Sequence, residues 1–120
     1  MNMLLVTNNP MVHSRYQNEV NIELLETDLH GVMIHTRNLV HKGHKLLTHP
    51  LSGSVKPNET IYKSILLSGV PESTDMQSVN IIEESIQTAQ KFPHKHISEQ
   101  HFNDMQTVDL TLIQSALYKG

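Results

Sequence analysis

Short apolar runs alternate with stretches of helical period over the first two thirds of the chain, and the last third carries helical period alone. Residues 3–7 are mostly apolar and stop at Asn8-Asn9-Pro10, the profile of a buried strand that ends in a turn. Asn9 before Pro10 fits an N-cap followed by proline at the first helical position. A short helix to about Asn18 is therefore expected, with Met11, Val12 and Tyr16 toward the core. Val20, Ile22 and Leu24 recur every second residue and predict a strand over 20–25. From Asp28 to Lys42, Leu29, Val32, Met33, Leu39 and Val40 follow helical spacing, with Thr27 or Asp28 as cap and Gly43 at the stop.

The Leu46-Leu47 pair predicts a short third strand over 44–48, and Ile65-Leu66-Leu67 a fourth over 62–68, closed by Gly69 and Pro71. Met76, Val79, Ile82, Ile86 and Ala89 mark a helix that ends near Phe92-Pro93, with Ser73 and Thr74 as cap candidates. A last helix from about Asn103 to Gly120 presents Met105, Val108, Leu112, Ile113, Ala116 and Leu117, and residues 94–101 form a polar connector. The fold class expected is α/β: a single small three-layer domain over 1–120, with a mostly parallel sheet of about four strands and two terminal helices covering one face. Ligands of such sheets sit outside the carboxyl ends of the strands. Here those ends are Thr7-Asn8-Asn9, Thr48-His49-Pro50 and Ser68-Gly69.

Composition narrows the chemistry. The 120 residues suffice for one core, and 38% apolar with 18% charged residues is a globular balance. With no cysteine, thiolate zinc sites, iron–sulfur ligation, disulfides and cysteine nucleophiles are excluded, as suits a reducing compartment. A formal charge of −3 with dispersed lysines and arginines offers no footprint for nucleic acid. No apolar run is long enough to span a membrane, and the N-terminus lacks the basic flank of a signal peptide, so a cytoplasmic protein is expected. Nine histidines include His41 with His44, and His94, His96 and His101, but no HExxH occurs and solvated histidines are expected rather than a metal site.

The unusual stretch is residues 43–65. Its histidine, serines, glycine and lysines suit a carboxylate or phosphate: backbone amides and hydroxyls donate hydrogen bonds while ammonium groups supply charge. The expected ligand-binding set is Asn8, Asn9, His49, Ser52, Gly53, Ser54, Lys56, Asn58, Glu59 and Lys63, with no metal and no cofactor. The same residue types also make ordinary exposed turns. Neither a GxxxxGK[ST] nor a GxGxxG motif is present.

Val6-Thr7-Asn8-Asn9-Pro10 and the run Gly43-His44-Lys45-Leu46-Leu47-Thr48-His49-Pro50-Leu51-Ser52-Gly53-Ser54-Val55-Lys56-Pro57-Asn58-Glu59-Thr60 resemble the GrdX family. These small proteins are encoded beside the glycine, sarcosine or betaine reductase system of amino-acid-fermenting anaerobes. Ile61 stands where the family pattern leads one to expect proline, a departure that touches loop stiffness. The resemblance implies a cytoplasmic accessory protein of an anaerobe and brings no catalytic residues with it.

Three readings of the stretch follow. It binds a small anion (carboxylate, phosphate or acyl phosphate); or it is the site of a small enzyme with His49 as general acid or base; or it docks reductase subunits through Leu51, Val55 and Tyr62. Oligomeric state stays open, a homodimer included.

Overall fold

The computed structural model describes residues 2–53 and 55–117. Three strands and four α-helices follow one another as β1 (Met3–Thr7), α1 (Pro10–Tyr16), β2 (Asn21–Leu24), α2 (Leu29–His41), β3 (Ser64–Ser68), α3 (Met76–Gln90) and α4 (Phe102–Leu117), with a 3₁₀ turn, Glu99–His101, leading into α4. Side-chain oxygens fix three of the helix starts. Asn9 Oδ1 accepts from Met11 N at 3.0 Å, Asp28 Oδ1 from Gly31 N at 2.9 Å and Asp75 Oδ2 from Ser78 N at 3.0 Å. Asp75, rather than Ser73 or Thr74, caps α3 because it immediately precedes the helix and its carboxylate reaches Ser78 N, one of the first-turn amides that have no partner within the helix.

The sheet is mixed, in the order β2-β1-β3. β1 pairs with β2 in parallel and with β3 antiparallel, Thr7 opposite Ser64 and Met3 opposite Ser68. The expected mostly parallel sheet of about four strands is thus corrected to three mixed strands. The third strand is reduced to one bridge, Leu46 to Leu67. Hydroxyls explain why. Lys45 N donates to Ser68 Oγ at 2.7 Å, Leu46 N to Ser78 Oγ at 3.0 Å and Leu66 N to Thr48 Oγ1 at 3.0 Å. The Ser68 and Thr48 hydroxyls thereby take two ladder positions that backbone carbonyls hold in a regular pair, while Ser78 draws the outward-facing Leu46 amide toward α3. Gly43 opens this segment with φ 110°, and a Cβ there would lie 1.9 Å from Glu72 O.

Alternation along β1 and β3 divides the core into two layers. Leu4, Val6, Ile65 and Leu67 face α2 and α3, packing on Val32, Met33, Val40, Ile82 and Ile86. Leu5 and Leu66 face the other way, onto Val12 and Tyr16 of α1 and Ile113 of α4. The three layers expected are present, but the C-terminal helices do not share a face: α3 packs on α2 and α4 on α1. Truncating a fully buried leucine such as Leu5 would cost about 2–5 kcal/mol, so each layer is needed for stability.

Reversal of β3 also moves the candidate site. Ser68-Gly69 lies at the opposite end from Thr7, with Gly69 N donating to Asn2 O at 2.8 Å. What meets the carboxyl end of β1 is the start of β3, Lys63 and Ser64.

Candidate functional site

A directed run of hydrogen bonds closes the end of β1. Asn9 N donates to Thr7 Oγ1 at 3.0 Å, the Thr7 and Ser64 hydroxyls meet at 2.7 Å, and Ser64 Oγ donates to Asp109 Oδ2 at 2.7 Å. Because the Ser64 proton goes to the carboxylate, the Thr7 hydroxyl donates to Ser64. Asn9 Nδ2 reaches the same Asp109 Oδ2 at 3.0 Å and Gln106 O at 3.0 Å. All four side chains belong to buried residues, so the network joins β1, β3 and α4 out of water.

Asn8 serves the neighbouring segment. Its Nδ2 donates to Thr27 O at 2.8 Å and Ile61 O at 2.6 Å, and its Oδ1 accepts from Lys63 N at 2.9 Å. The backbone on either side of Tyr62 is thereby anchored, and with it the origin of the Lys63 side chain.

Beside this network a cavity of about 310 Å³ opens between residues 50–63 and α4. Leu29, Leu51, Val55, Met105, Val108 and Leu112 supply apolar wall, and Lys63, Asp109, Tyr62, Ser52, Glu59, Asp104 and His101 contribute polar groups. Gly53 lets the loop close on α4: its φ is 101°, and a Cβ would come 2.9 Å from Leu112 Cδ1. Tyr62 is held by its ring edge against Phe102, with centroids 6.0 Å apart at 89°, and its hydroxyl accepts from Gln106 Nε2 at 2.9 Å.

The Lys63 ammonium has one long hydrogen bond, to Ser52 O at 3.4 Å, and joins no ion pair among the described residues. Burial pushes its pKa below the ordinary lysine value, and the Asp109 charge opposes that without cancelling it.

The structure brings Ser52, Glu59 and Lys63 of the expected set to this cavity. His49 is exposed, outside the cavity lining, and its Nδ1 accepts from Leu51 N at 3.1 Å. Lys56 is exposed, and its amide donates to Glu59 Oε1 at 3.2 Å. Asn58 donates to Pro93 O at 2.8 Å and borders a second cavity of about 410 Å³, whose other wall is Ile86, Phe92 and Ile97. Asn8 and Asn9 line neither cavity, and Ser54 lies outside the described residues.

Asp109, Asp104, Gln106 and Ser64 were not legible as site residues from the loop motif. Asp109 alone left a trace in the pattern, as an acid four residues before the core residue Ile113 on one helix face. Among the described residues no group of three metal-ligating side chains occurs, and no helix is long and apolar enough to cross a membrane.

Comparison with curated proteins and with solved structures returned no match. Residues 4–118 match the family described as GrdX-like protein, which takes in both cavity walls, the buried network and nearly the whole chain. The chain belongs to the GrdX-like protein family.

Proposed function

We propose that this GrdX-like chain is a cytoplasmic accessory protein of the glycine reductase system that binds a small anionic molecule, a carboxylate or phosphate with an apolar portion, in the cavity between residues 50–63 and α4. The observation that carries the reading is Lys63, a mostly buried cation lining a largely apolar cavity, with one long hydrogen bond and no ion-pair partner among the described residues. An arriving anion supplies hydrogen-bond acceptors and charge in place of the solvation that burial has removed. Leu51, Val55, Met105 and Leu112 suit the ligand's apolar part, and Ser52 and Thr60 offer hydroxyls. His49 has no part in this reading, since its ring lies outside the cavity lining.

Thermal-shift measurements with acetate, propionate, phosphate, acetyl phosphate, glycine and betaine test it. A ligand at 100 times its Kd stabilises by about 2.7 kcal/mol, and the shift should disappear in Lys63→Met. Absence of a shift with every compound, or a shift of equal size in Lys63→Met, would overturn the reading.

A further inference from the structure

We infer that Lys63 is a carbonyl-capturing amine, and that the cavity takes small oxo-carboxylates such as 2-oxo acids, whose carbonyl carbon forms a Schiff base with its Nζ. The inference rests on the binding reading above and adds a covalent step to it. Three features of the cavity support it.

The amine lines a largely apolar cavity with a single weak acceptor at 3.4 Å, so its ammonium form is poorly solvated. Its lowered pKa follows from the same burial and raises the share of neutral nucleophile. A proton source lines the same cavity: because the Tyr62 oxygen accepts from Gln106 Nε2, its own proton remains available to donate. The product's charge also matches the site. A protonated imine is a cation like the ammonium it replaces, so the Asp109 charge that favours protonated Lys63 favours the iminium too, and the ligand's own carboxylate lies beside it.

The step is balanced without any redox partner. The nitrogen lone pair attacks the carbonyl carbon, a C–N bond forms, and one amine proton passes to the carbonyl oxygen to give a carbinolamine. That hydroxyl then leaves as water after accepting a proton from Tyr62, which is reprotonated by solvent, and the iminium keeps the remaining N–H. Water is the sole by-product.

Incubating the full chain with pyruvate, reducing with sodium borohydride and mapping peptides by mass spectrometry tests this. A carboxyethyl addition is expected on Lys63 in preference to the exposed Lys45, Lys56 and Lys95. It should be lost in Lys63→Arg, whose guanidinium cannot form the imine, and should accumulate more slowly in Tyr62→Phe. Mapping on the unsubstituted chain decides the matter even if a variant fails to fold. Addition spread evenly over the lysines, or none at Lys63 while propionate still binds, overturns the Schiff base and leaves the binding reading standing. No addition together with no shift from pyruvate or from any of the six compounds named above removes both.

Discussion

Two groups of polar residues at one end of the sheet have similar chemistry and opposite fates. Thr7, Asn8, Asn9, Ser64 and Asp109 are buried and satisfy one another or nearby backbone, whereas His49, Ser52, Lys56 and Glu59 stand on an exposed loop. The first group holds three elements together. The second forms a rim of which Ser52 and Glu59, but not His49 or Lys56, line the cavity. The difference teaches that polarity at a strand end does not by itself mark a ligand contact, because a side chain whose donors are already used internally has little to offer a guest. Lys63 sits between the groups, its backbone anchored by Asn8 and its side chain on the cavity wall.

Substitutions can sharpen that contrast. The largest effect is expected from Asp109→Ala, which strands the Ser64 hydroxyl and Asn9 amide in a buried site. At about 1–3 kcal/mol for each of the two unmet donors, denaturant unfolding should show a loss of about 2–6 kcal/mol. Asn8→Ala removes one acceptor and two donors that bind backbone, and should cost about 2 kcal/mol by the same measurement. It should also weaken ligand binding, since Lys63 loses its anchor.

A pH series separates Lys63 from both groups. Its folded pKa lies below its unfolded one, so the unfolded chain holds more protons between the two values and stability gained from this group rises with pH across that window. At lower pH the burial penalty is fully present. The stability difference between Lys63→Met and the unsubstituted chain should therefore shrink as pH climbs through the window, and a constant difference would refute the assignment. Asp109, Asp104 and Glu59 border the same cavity, and Asp109 opposes the shift.

The smallest effect belongs to the rim. His49→Ala and Lys56→Ala should each change stability by no more than about 0.5 kcal/mol. A large loss from either would erase the distinction between scaffold and rim.

Local signals carried much of the fold. Asn9-Pro10 caps the helix it was expected to cap, Asp28 is the one of the two candidates, Thr27 and Asp28, that caps α2, and the alternation at Val20, Ile22 and Leu24 marks β2 within one residue at each of its ends. Strand direction was not legible, because Ile65-Leu66-Leu67 is apolar on both faces and reads the same whether it runs with β1 or against it. The hydroxyls that dissolve the third strand act through Ser68 and Ser78, distant in sequence from Lys45 and Leu46. The polar loop was found as a feature, and its contents at Lys63, Ser52 and Glu59 reach the cavity. The opposite wall escaped notice because α4 shows an ordinary apolar stripe until one knows that Asp109 meets Ser64 across 45 residues.

The broken third strand has a consequence for association between molecules. Residues 45–48 run along β3 and occupy its outer edge through backbone bonds, Ser68 N to Lys45 O and Leu47 N to Leu66 O, interleaved with the Ser68 and Thr48 hydroxyls. An apolar strand such as Ser64–Ser68, if left open, would be a template for edge-to-edge aggregation. Sealed in this way, it offers no template, and the free edge of the sheet is the four-residue β2, Asn21–Leu24, too short and too polar to recruit a second sheet easily.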